Sequence, residues 1–239
     1  LYAVDAETGD EEWRFTEPLF GVDSSPTVVA DPESGSSVGS RVLQGTLGHH
    51  NVFAENGPTQ PDDGENDSPA PDCPEVSYTG DGTEQNPYEV SNLSQLQCMN
   101  QDLDANYTQV SDIDATETSS WNGGSGFKPV GKSSQFTGTF DGQNNTIEGL
   151  VISRSNEDRV GLFGYVGSGG EIRNVSIVDA NVSGNRDVGV LVGRNLVGTV
   201  TKSYAKGDVS AFDRFAGGLI GRNNDGFVSE SYAMVDISG

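Results

Sequence analysis

An all-β fold, dominated by a right-handed parallel β-solenoid (a β-helix) with one short N-terminal capping helix, is what this sequence predicts. Three observations carry that expectation. The triplets Leu162-Phe163-Gly164, Leu191-Val192-Gly193 and Leu219-Ile220-Gly221 recur at intervals of 29 and 28 residues, and a fixed period with glycine punctuation marks stacked coils. Within the repeats, stretches such as Glu171-Ile172-Arg173-Asn174-Val175-Ser176-Ile177 alternate, so every second side chain falls on one face of a strand. Hydrophobic residues make up only 33% of the chain while glycine numbers 32, which suits many thin coils better than one thick core. A single coil cannot bury its own apolar face, so each must stack on its neighbours.

Laid in register, the repeats run over 160–179, 188–208 and 216–236. Val175, Tyr204 and Tyr232 share the interval, and so do Asp179, Asp208 and Asp236. A weaker copy, Ile147 to Ile152, aligns with Ile172 to Ile177 at an offset of 25, which makes about four coils. The stretch 217–239, with its paired glycines, Leu219-Ile220, Ser231-Tyr232-Ala233 and closing Ser238-Gly239, resembles the GLUG repeat of bacterial and archaeal cell-surface proteins. Residues 188–211 resemble the same repeat, and 160–184 a diverged copy. The resemblance implies an adhesin-like surface protein built on a β-solenoid, and it implies no catalytic residue.

Charge narrows the partners. A formal net charge of -23 argues against nucleic acid, which proteins hold with basic surfaces. Four lysines stand against nine arginines and 36 acids. That balance points to a halophilic setting, where carboxylates keep a surface solvated; an acidic surface protein from an ordinary habitat would share it. The charge is uneven, for residues 160–239 hold eight acids and seven bases. Contact with any polyanion therefore falls to the repeats. No stretch reaches the length of a transmembrane segment, and no signal peptide is present. The chain opens on Leu1 in mid-motif, so the expectation is a fragment of a secreted or cell-surface protein. Six Asn-x-Ser/Thr sequons (Asn66, Asn92, Asn106, Asn144, Asn174, Asn181) would permit glycosylation outside the cell.

Residues 1–57 read as a different object. Ala3, Asp5, Thr8-Gly9 and Trp13 stand at the spacing of a quinoprotein-like (PQQ-like) β-propeller repeat, which 1–15 resembles, and 24–57 resembles the strands that follow. The resemblance implies one partial blade. After Ala54 the pattern lapses into Glu-Asn-Gly-Pro, and a propeller needs about four to eight blades to close, so no axial quinone site can be completed within this chain. His49 and His50 would point to opposite faces of a strand and make a poor chelating pair. Residues 58–75 carry five prolines and six acids without a large apolar residue, the composition of an extended linker. Residues 76–135 form the cap and lead-in, with a helix predicted over 93–103 behind Asn92 or Ser94, and 136–239 form the coils. Cys73 and Cys98 either bridge linker to cap or remain two thiols.

Stacking converts periodic residues into ladders about 4.8 Å apart. Asp179, Asp208 and Asp236 would form a carboxylate row, and like charges so close disfavour joint ionisation unless a cation intervenes. Ca²⁺ suits such oxygens; the alternative is three turn residues facing solvent. Arg194 over Arg222, and Arg186 over Arg214, would stack guanidinium groups that match anionic glycans, unless Asp187 and Asp213 neutralise their neighbours. Tyr204 and Tyr232 over Val175 read as a core stack, with an exposed sugar-binding stripe as the alternative, and Asn195 with Asn223 as an amide ladder. No phosphate loop, Gly-x-Ser-x-Gly elbow or Ser/His/Asp set is present. The expected protein is therefore a non-catalytic structural or adhesive one, with glycans or other surface components as partners and no cofactor beyond Ca²⁺. Two alternatives remain: a carbohydrate-active β-helix cleaving acidic polysaccharide, and the accessory part of a quinoprotein dehydrogenase.

Overall fold

The computed structural model describes residue 73 and residues 76–239 in full, together with the backbone of four short strands before them. The chain divides into two compact units, residues 1–63 and 64–239. In the first, Tyr2–Val4 pairs antiparallel with Glu11–Arg14, and Gly45–Thr46 with His49–His50. The hairpin falls where the sequence places strand, turn and strand; the rest of the propeller-like blade and most of the linker lie outside the described residues.

The second unit is a parallel β-solenoid. One sheet runs Tyr88–Val90, Asn106–Gln109, Thr139–Asp141, Glu171–Arg173, Thr199–Thr201 and Phe227–Ser229, each strand paired to the next. A second runs Ile113–Asp114, Thr146–Glu148, Ser176–Gly189, Tyr204–Gly217 and Tyr232–Ser238, with Val151–Val160 also paired to Ser176–Gly189. A third holds Phe163–Val166, Val192–Leu196 and Ile220–Asn224. Every ladder between these named strands is parallel, as coil-on-coil stacking requires.

Alternation does what it predicts. Ile172, Ile177, Val182, Val188 and Val200 are fully buried, and Leu162, Phe163, Leu191 and Val192 close the core from the third sheet. Toward the cap the core turns aromatic. Tyr107, Phe136, Phe163 and Phe140 pass ring to ring at centroid distances of 6.5, 5.0 and 5.5 Å. The recurring glycine of each triplet marks a close backbone approach. A Cβ on Gly193 would stand 2.5 Å from the backbone of Arg159 and Val160, and one on Gly221 would stand 2.4 Å from Val188 N.

The cap is a helix over Leu93–Cys98, continued by a tighter turn over Met99–Gln101, so it is shorter than the predicted 93–103. Asn92 is its N-cap: its side chain accepts from Gln95 N at 2.9 Å, while Gln95 Oε1 accepts from Ser91 N at 2.8 Å. This reciprocal pair satisfies backbone donors that a helix start leaves open. Leu93, Leu96 and Met99 enter the core.

Two expectations are corrected here. The 25-residue alignment of Ile147 with Ile172 gives way to a partner thirty residues on, Ile177, because Ile147 lies in the second sheet and Ile172 in the first, over Phe140. Tyr204 and Tyr232 stack over Ser176, one residue beyond buried Val175, so they leave the core: Tyr204 is only half-buried, between buried Ser203 and buried Ala205. A one-residue shift moves a strand side chain to the other face.

Candidate functional site

The arginine rows form as the spacing predicts. Arg194 is in register with Arg222, and Arg186 with Arg214. What the structure adds is their surroundings. Tyr165 precedes Arg194 in the same column, and Asp158 precedes Arg186. Between the two columns each coil contributes one residue with left-handed backbone: Arg159, Asp187 and Phe215, at φ of 60°, 56° and 62°.

Together these residues make a strip of cations on rings. The guanidinium carbons of Arg159 and Arg194 lie 5.0 and 5.5 Å from the centre of the Tyr165 ring. Those of Arg222 and Arg214 lie 4.9 and 5.9 Å from Phe215. Ring faces hold guanidinium groups by their quadrupole without consuming their hydrogen-bond donors. Arg194 Nε donates to Asn224 Oδ1 at 3.3 Å. Arg186 pairs with Asp158, which also accepts from Asn185, and Arg214 with Asp213 at 3.2 Å. Arg186 thus finds its salt-bridge partner on the preceding coil rather than in adjacent Asp187. Five arginines against Asp158, Asp187 and Asp213 leave two positive charges in excess, on a chain of net charge -23.

Asp187 is the unusual member. It is 2% exposed, and its Oδ1 has no hydrogen-bond partner. Burial raises its pKa above the ordinary carboxylate value, against the attraction of Arg222, Arg194 and Arg186. The folded chain therefore holds this proton more tightly than the unfolded chain. The carboxyl's contribution is most favourable below its unfolded pKa of about 3.9 and is lost as pH rises through the raised folded value. Asp187→Asn should abolish that fall in chemical-denaturation titrations across acid pH. It should also tighten polyanion binding, because the strip gains one net positive charge.

The carboxylate row does not form as predicted. Asp208 and Asp236 are in register, but the partner of Asp208 on the preceding coil is Asn181. A bulge between Ile177 and Ala180 takes Asp179 out of the column, at φ 52°, and Lys206 Nζ sits 3.6 Å from its carboxylate. These residues line an open groove of about 690 Å³ with the Lys206 ammonium among its carboxylates. Among the described residues, no group of three His, Cys, Asp or Glu gathers in metal-binding geometry. The three-aspartate Ca²⁺ site is therefore not assembled.

Other predicted features have definite places. Cys73 and Cys98 are joined in a disulfide, Cα atoms 5.2 Å apart, with Cys98 fully buried on the cap helix. Asn195 Nδ2 donates to Asn223 Oδ1 at 2.9 Å, the amide ladder expected at that turn. Tyr165, Arg159, Phe215 and Asp158 were missed as site residues. Their signal was present, since Tyr165 lies one interval before Arg194, and Arg159 and Phe215 one interval either side of Asp187. Residue identity changes along each column, and that hid them.

No protein-family profile matches the chain. It is 44% identical over 144 residues to halomucin of Haloquadratum walsbyi, a match covering 57% of this chain. It is 33% identical over 122 residues, 48% of the chain, to a protein assigned as a Gly-rich membrane protein of Evansella cellulosilytica. The matched stretches span 2% and 14% of those relatives. Among solved structures, a protein assigned as an immunoglobulin A1 protease from Bacteroides ovatus shares the fold. The TM-score is 0.50 at 21% identity, covering 65% of this chain and 49% of that one. No described helix is long and apolar enough to cross a membrane. The relatives' names fit a cell-surface repeat protein, and the repeats of this chain stack as a parallel β-solenoid.

Proposed function

We propose that this chain is a non-catalytic structural and adhesive segment of a cell-surface protein, built of GLUG-like coils, that holds acidic glycans along its arginine strip. The observation that carries the reading is the alignment of Arg194 over Arg222 beside Tyr165 and Phe215. Rings fix the guanidinium planes, and stacking repeats them at the coil spacing of about 4.8 Å, so successive acid groups on one polymer can each meet a planar donor pair. The Cys73–Cys98 bridge supports an oxidising, extracellular setting.

The test is a glycan array probed with the 1–239 chain at low and molar salt. Saturable binding to sulfated or uronate-containing glycans is expected, weakened about tenfold or more by joint R194A and R222A substitution, a loss of about 1.4 kcal/mol or more. Molar salt should weaken binding without abolishing it, because it screens distant charges and leaves direct contacts. A folded chain that binds no acidic glycan at either salt would reduce the solenoid to a spacer.

A further inference from the structure

Apart from the arginine strip, the solenoid carries the tyrosine pair that the sequence reads as core, with an exposed sugar-binding stripe as the alternative. The column Thr146, Ser176, Tyr204, Tyr232 steps from small side chains to aromatic ones. Tyr204 and Tyr232 stack with ring centres 4.6 Å apart and planes at 34°. Tyr232 thus covers one face of the Tyr204 ring. On the other face the column partner is Ser176, a side chain too short to cover a ring. A cleft of about 380 Å³ runs along this column, past Ser176, Tyr204 and Tyr232.

The rest of the cleft wall is polar. Asn144, Asn174, Lys202 and Glu230 lie along it, all at turn positions with φ between 49° and 61°. They are tied coil to coil through backbone bonds such as Asn144 N to Asn174 O at 3.0 Å. Their chemistry is mixed and charge-balanced, with two amides, one ammonium and one carboxylate. Asn174 spends its Nδ2 on Asp141, whereas no hydrogen bond engages the Asn144 carboxamide, and that residue is exposed. None of these residues belongs to the arginine strip.

We infer that this cleft binds an uncharged hexose unit of a neutral oligosaccharide, with the pyranose ring laid on the open face of Tyr204. A pyranose has an apolar C–H face and a rim of hydroxyls. Its face suits an aromatic wall with a polar edge, and its rim suits donors and acceptors placed around that wall. An acidic sugar gains no net attraction from Lys202 beside Glu230 and goes instead to the arginines. The site goes beyond the acidic-glycan reading and does not depend on it.

The experiment is saturation-transfer NMR and calorimetry on the 1–239 chain with maltohexaose, cellohexaose and mannohexaose in molar salt, which removes long-range electrostatics. One or more of the three should bind with a Kd of roughly 0.1–1 mM, as a single stacked ring with few hydrogen bonds permits. Y204A should weaken binding about tenfold, and Y204F should keep it within about twofold, since the ring and not the hydroxyl is the wall. S176Y should abolish binding in a chain of undiminished thermal stability, because it extends the tyrosine stack into the cleft and fills it. Joint R194A and R222A should leave it unchanged. Failure of all three oligosaccharides to bind, or binding indifferent to both Y204A and S176Y, would overturn the assignment. So would neutral-sugar binding lost with the two arginines, which would move the sugar to the strip.

Discussion

Replacing Phe163 by alanine should cost about 3–5 kcal/mol, the largest loss expected from any one truncation on the core face. Phe163 is fully buried and meets Phe136 at 5.0 Å and Phe140 at 5.5 Å. It also pairs in the ladder with Val192 on the next coil. It therefore sits where the aromatic core of the lead-in joins the aliphatic core of the repeats. Truncation leaves a cavity between two coils whose backbones are fixed by parallel ladders, so collapse around it is limited. Coils contact only their neighbours, and the damage should be local. Urea unfolding should show the lower midpoint, and hydrogen exchange should show lost protection in Thr139–Asp141 and Glu171–Arg173 before Tyr204–Gly217. Phe163→Leu should cost less than about 1.5 kcal/mol. Equal losses from the two substitutions would mean that the ring contacts do not join these cores.

Reducing the Cys73–Cys98 bridge is expected to cost about 3 kcal/mol, from the chain entropy released when a loop with a sequence separation of 25 is opened. The bridge joins the cap helix to the segment that precedes the first strand, and the cap covers a sheet end that would otherwise stand open. For the solenoid unit of residues 64–239, a loss of that size lowers Tm by roughly 6–12 °C, at about 2–4 °C per kcal/mol. Calorimetric scans with and without reductant should show the drop, and C73A should show it without reductant and no further drop with it. Two free thiols appearing at an unchanged Tm would mean that the cap is held by its apolar contacts alone.

The site was half legible, and the reason differs residue by residue. Arg194 and Arg222 were placed because a single residue type repeats at the coil interval and their strands pair without interruption. Tyr165 sits in the same column and was passed over, since only position, not identity, relates it to Arg194. Asp179 was misplaced for the opposite reason: identity repeats, but a bulge before Ala180 removes it from the column. The left-handed residues Arg159, Asp187 and Phe215 followed neither alternation nor identity, and they set how rings and cations meet.

By itself the sequence determined that this chain is a stack of parallel β coils with a capped N-terminal side. Periodicity of 29 and 28 residues and strict apolar alternation leave few other ways to bury those faces. It also determined that residues 160–239 are close to charge-balanced, with seven bases against eight acids, on a chain of net charge -23. Only the tertiary structure decided which side chains share a column and which face each column presents. A strand reverses its side chains with every residue, so one bulged residue exchanges core for surface. Tyr204 became a wall of a cleft, and Asp187 a buried carboxyl among arginines, through steps of a single residue that leave no mark on the period.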